Sequence, residues 1–189
     1  MEIEALRPRH RFTVKQYYEM GALGFLEQDA RFELIDGDII EMPPAGPAHA
    51  NIVNRLAAIL VRAVEDRVGV TIQTPVLLGE SNQPEPDVCL VKPREVYYHR
   101  HPEAEDVLLV IEVGESSVAY DRIKKGRLYS RSWIPEYWLI DIPGQRVEVY
   151  LSPGPDGYTE KLVNGREDRI SPAALPDIEI DINDILGPS

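Results

Sequence analysis

Val107-Leu108-Leu109-Val110-Ile111-Glu112-Val113 is apolar at both parities until a single carboxylate interrupts it. A strand exposed on one face alternates polar and apolar residues, whereas a run without alternation reads as a central strand covered on two faces. Glu112 is the anomaly in that setting. A carboxylate in such a place is costly unless it is paired, hydrogen-bonded or bound to a metal.

Upstream, Pro84-Glu85-Pro86-Asp87-Val88-Cys89-Leu90-Val91 gives a second strand that begins beside a second acid. Asp87 and Glu112 are 25 positions apart, a separation that suits neighbouring strands joined by the polar excursion from Lys92 to Asp106. Alternation puts Asp87, Cys89 and Val91 on one face of their strand, and Leu108, Val110 and Glu112 on one face of theirs.

Downstream, Ser116 or Ser117 can cap a helix over about 118–132. Glu136-Tyr137-Trp138-Leu139-Ile140-Asp141 is strand-like, with Tyr137 and Trp138 read as core, and Pro143-Gly144 turns the chain into Arg146–Leu151. Short strands near 158–163 and Ile170, with Asn164-Gly165 as a turn, complete a C-terminal meander. Toward the N-terminus, Thr13-Val14-Lys15-Gln16 has the form of a capping box. Arg31–Met42 reads as a hairpin about Asp36-Gly37. Ile52, Leu56, Ile59, Leu60, Ala63 and Val64 recur at helical spacing over 48–67, and a strand over 70–78 is interrupted by Pro75. The order predicts an α/β fold: a mixed β-sheet flanked by helices, with an N-terminal hairpin and a C-terminal β-meander, in one domain over 1–189.

Composition fits a folded protein, with 43% hydrophobic residues in 189. The single cysteine, Cys89, has no intrachain partner for a disulfide and reads as a core residue. With no signal-like or membrane-length apolar run, a cytoplasmic location is expected. The formal charge of −12 is unusual for a nucleic-acid binder, so an anionic partner must be met locally. Cations do gather, at Tyr97-Tyr98-His99-Arg100-His101 and over Arg122, Lys124, Lys125, Arg127 and Arg131, while acids collect over 177–184. His99 and His101 read as solvated loop residues.

Asp87 and Glu112 are hard oxygen ligands that suit Mg2+ or Mn2+, and no Cys/His zinc spacing competes with them. Lys125 and Tyr129 are four apart and share a helix face, with Arg122 nearby. An ammonium there can position water and balance charge on a phosphate. His49 begins a helix, where it can hydrogen-bond a phosphate or an acid, or simply cap and pack.

These residues resemble the PD-(D/E)XK nuclease superfamily, in its Uma-type restriction endonuclease branch. The matching segments are Arg31–Gly37, His49, Pro86-Asp87, Ile111-Glu112-Val113, Asp121-Arg122 with Lys125 and Tyr129, and Pro135–Asp141. The resemblance implies a restriction-endonuclease-like core and metal-dependent hydrolysis of phosphodiester bonds, in DNA, by metal-activated water. It implies Asp87 and Glu112 as metal ligands, Lys125 as the catalytic lysine, Glu33 as an accessory acid, and Arg122, Tyr129 and His49 as substrate-binding residues. In the superfamily pattern the lysine stands two residues beyond the second acid, where this chain has Gly114. On that resemblance the lysine would have moved to the following helix, where adjacent Lys124 is an alternative to Lys125. A homodimer would serve cleavage of both strands. The alternative is a catalytically inactive nucleic-acid- or protein-binding module on the same fold, which the acidic balance favours.

Overall fold

The structure, a computed structural model, describes residues 9–27, 29–93 and 100–187. It resolves into two compact units, residues 1–44 with 77–84, and 45–76 with 85–189.

In the first unit, helix α1 (Val14–Ala22) starts with the expected capping box: Gln16 N–H donates to Thr13 Oγ1 and Thr13 N–H to Gln16 Oε1. Strands β1 (Arg31–Ile35) and β2 (Asp38–Met42) pair antiparallel with Ile35 opposite Asp38. Asp36 and Gly37 both take positive φ, 54° and 74°, as a two-residue hairpin turn requires. Gln83 extends this ribbon by pairing with Leu34.

The second unit is built on a six-stranded sheet in the order β3-β4-β5-β6-β7-β8. Its strands are β3 (Gly69–Ile72), β4 (Val88–Val91), β5 (Val107–Gly114), β6 (Glu136–Asp141), β7 (Arg146–Leu151) and β8 (Glu160–Gly165). Only β5 and β6 are parallel, so the sheet is mixed as expected. Helix α2 (Pro47–Val64) lays Ile52, Val53, Leu56, Leu60 and Val64 onto one face, against Val88, Leu90, Leu109, Ile111, Val113, Trp138 and Ile140. Each fully buried aliphatic side chain there contributes roughly 1.5–3 kcal/mol.

The opposite face is covered by the crossover from β5 to β6. The sequence predicts one helix over 118–132; the chain instead forms α3 (Val118–Tyr120), a π-turn (Asp121–Lys125) and α4 (Gly126–Arg131). Ser117 does not cap it through its side chain; its hydroxyl donates to Asp121 Oδ2 at 2.5 Å.

Two strand expectations change. The run expected over 70–78 ends as a strand at Ile72, where Gln73 turns to φ 45° ahead of Pro75. Asn164-Gly165 closes β8 rather than forming a hairpin turn, and β9 (Arg169–Ile170) leaves the sheet to pair with β10 (Ile180–Asp181), followed by α5 (Ile182–Leu186).

Candidate active site

Strands β4 and β5 run antiparallel with Val88 opposite Ile111 and Cys89 opposite Val110. One step along that register sets Asp87 beside Glu112. Directly opposed residues share a sheet face, and the electrostatics agree. Burial pushes the Cys89 thiol upward, and the neighbouring Glu112 and Asp87 carboxylates push the same way. The two acids predicted from alternation therefore meet at one end of the sheet, on the face opposite α2.

Each acid is held by its own partners. Asp87 is nearly buried, and its Oδ2 accepts the Val113 backbone N–H at 2.9 Å and lies 3.0 Å from His49 Nε2. That histidine stands in the first turn of α2. Oδ1 of Asp87 has no hydrogen bond among the described residues. The Gln73 backbone N–H donates to the Asp87 carbonyl at 3.1 Å, continuing the β3–β4 ladder to the level of the site. Glu112, also buried, receives two donors on Oε1: Lys125 Nζ at 3.0 Å and Tyr129 Oη at 2.5 Å.

Lys125, only 1% exposed, is the lysine of the pair that meets Glu112; Lys124 is half-buried beside it. The structure also explains why no lysine stands two residues beyond Glu112. A Cβ on Gly114 would lie 2.7 Å from Val118 Cγ2 and 3.0 Å from its Cα, so a side chain there would have to displace the chain reversal into α3.

Two residues expected to contact substrate are engaged by the protein. Tyr129 is fully buried, with its hydroxyl on Glu112. Arg122 forms a two-point bridge to Glu148, with Nε and Nη2 each 2.9 Å from a carboxylate oxygen, and a further bond to Asp141 at 3.2 Å. Glu33 is buried in β1, in the first unit, opposite Ile40. His101 is half-buried, while Tyr97, Tyr98 and His99 lie outside the described residues. Tyr137 and Trp138 are fully buried, as read from the sequence.

The sequence missed Glu148. Val147, Val149 and Leu151 alternate with Arg146, Glu148 and Tyr150, which reads as a half-solvated strand. The crossover buries Glu148 to 1% exposure. Burial alone would raise its carboxyl, but hydrogen bonds from Arg122, Tyr150 and Lys161 prevail and hold it at about 2. The available signal was a surplus of cations, Arg122, Arg146 and Lys161, around an acid on the polar parity of β7.

Among the described residues, no group of three or more His, Cys, Asp and Glu side chains could hold a metal ion. A cation at Asp87 and Glu112 would thus take two carboxylates from the chain and its remaining ligands from water and substrate. That sparse, all-oxygen set fits Mg2+, which keeps much of its own hydration. Among the described residues, no helix is long and apolar enough to cross a membrane.

The sequence matches the model of the family Uma2, described as "Putative restriction endonuclease", over residues 14–183. Among solved structures it is similar to a putative nuclease belonging to DUF820 from Anabaena variabilis ATCC 29413, with a TM-score of 0.69 and 18% identity over 93% of this chain and 97% of that one. At that identity the likeness shows a shared fold. No curated protein matches the sequence.

Proposed function

The chain belongs to the Uma2 putative restriction endonuclease family, and from that premise we propose that it is a divalent-metal-dependent endonuclease that hydrolyses phosphodiester bonds, with DNA as substrate. The observation that carries the reading is the opposed pair Asp87 and Glu112, each oriented by protein donors, with Lys125 at the second acid.

In this reading Asp87 and Glu112 hold Mg2+ or Mn2+. When bound, the cation supplies Lewis-acid polarisation of a phosphoryl oxygen and acidifies water. The chain's own groups do the positioning. The Val113 N–H and His49 fix the rotation of Asp87, leaving Oδ1 to face a ligand. Lys125 and Tyr129 fix Glu112 through a single oxygen, and the lysine brings a positive charge to where negative charge builds on the phosphate. Tyr129, being buried, is a positioning residue, and Arg122 acts through Glu148 to tie the crossover to β7.

The test is Mg2+- or Mn2+-dependent nicking of supercoiled plasmid, beside calorimetric titration of the metal. Asp87→Asn and Glu112→Gln should each abolish nicking and weaken metal binding while leaving the fold intact by circular dichroism. Nicking that survives unchanged in both variants defeats the proposal, and a wild type that neither binds metal nor nicks is the binding module instead.

A further inference from the structure

The buried acids Glu148 and Asp141 underlie a group of cations that the site described above does not use. Arg146 Nη2 reaches both, at 2.9 Å to Asp141 and 3.3 Å to Glu148, and Lys161 Nζ lies 3.0 Å from Glu148 and 5.1 Å from the centre of the Tyr150 ring. Arg122 closes the group from the crossover. The signs are layered. The two carboxylates are 1% and 6% exposed, whereas the side chains of Arg122, Arg146 and Lys161 are 30%, 41% and 40% exposed. Solvent therefore meets three cations over two hidden acids, an excess of one positive charge in a chain of −12.

Holding the cations from beneath lowers the ordering cost that long basic side chains incur when they grip a ligand. Arg146 commits only Nη2 to the protein; its Nε is buried and makes no hydrogen bond among the described residues. The register fixes where this surface lies. Glu112 pairs with Leu139, and Leu139 with Glu148, so the cluster stands two strands from the second acid, at the same level and on the same face. Two strand spacings amount to about 10 Å, the order of one to two nucleotide steps along a backbone.

We infer that Arg146 and Lys161, braced by Arg122 through Glu148 and Asp141, form a docking subsite for a backbone phosphate of the nucleic acid whose scissile bond lies at Asp87 and Glu112. The inference rests on the nuclease reading and adds to it the direction of approach: the strand runs from the two acids past the ends of β6 and β7 that carry Asp141 and Arg146. It also resolves the acidic balance, because the anion meets an ordered local excess of positive charge rather than a basic surface.

The experiment is fluorescence anisotropy of a labelled DNA duplex with full-length protein, in Ca2+ to suppress turnover, across a series of NaCl concentrations. Each phosphate contact to a duplex adds about 0.9 to the slope of log K against log salt. Arg146→Gln and Lys161→Gln should each reduce that slope, and the double variant should reduce it by about 0.9, the share of one phosphate, weakening binding about eightfold near 0.1 M salt. In plasmid nicking KM should rise while kcat holds. Arg146→Lys and Lys161→Arg should restore the slope, which a purely structural role would not require. If wild type binds with a steep slope that the Gln variants share, the subsite is refuted and the nuclease reading stands. If wild type binds neither duplex nor single strand and does not nick, both fall.

Discussion

Lys125 and Tyr129 converge on one oxygen, Glu112 Oε1, in a setting where every partner is buried. Removing one member of such an arrangement weakens the hold on the others. Lys125→Ala should cost about 3–5 kcal/mol, because it removes an ammonium paired with a buried carboxylate. Tyr129→Phe removes one hydrogen bond to a charged group and should cost about 1.5–3 kcal/mol. Urea unfolding measures both, and a Lys125→Ala effect smaller than that of Tyr129→Phe would contradict the pairing. Glu148 predicts a pH signature. Its carboxyl is held at about 2 against an ordinary 4.5, so its contribution is complete above about pH 4.5 and is lost as the pH falls toward about 2. Glu148→Gln should flatten the acid limb of stability between those limits, as read by urea midpoints at stepped pH.

The crossover between β5 and β6 is the element on which the site depends. Its π-turn inserts an extra residue per turn, a feature that recurs at functional sites, and it leaves both Asp121 and Lys125 buried. Two glycines bracket it with opposite expectations. Gly114→Ala should destabilise by about 1–3 kcal/mol, since the new Cβ meets Val118 at 2.7 Å. Gly126 has helical dihedrals and room at 3.5 Å from its nearest neighbours, so Gly126→Ala should stabilise by about 0.5–1 kcal/mol through the unfolded chain. Thermal melts of the two variants should shift in opposite directions.

For the whole molecule, the proposed metal site is a linkage. A cation that binds only the folded chain stabilises it by about 2.7 kcal/mol at a hundredfold excess over Kd. Mg2+ should therefore raise the melting temperature of wild type in a concentration-dependent way and leave Asp87→Asn unmoved. Equal shifts in both proteins would mean that the ion acts elsewhere, for instance by screening the net charge of −12.

The sequence by itself determined the mixed sheet, the hairpin, the long amphipathic helix and the meeting of Asp87 with Glu112. These follow from local rules: the period of apolar residues, a capping box, an Asp-Gly turn, and the parity of two acids on neighbouring strands. Only the tertiary structure decided which lysine reaches Glu112, because Lys124 and Lys125 differ by a rotation that a π-turn sets and no periodicity encodes. It alone decided that Tyr129 and Arg122 face protein partners, and that Glu148 lies under a layer of cations. Burial of a polar strand face depends on what the rest of the chain lays across it, and that covering comes from a distant crossover rather than from the strand's own residues.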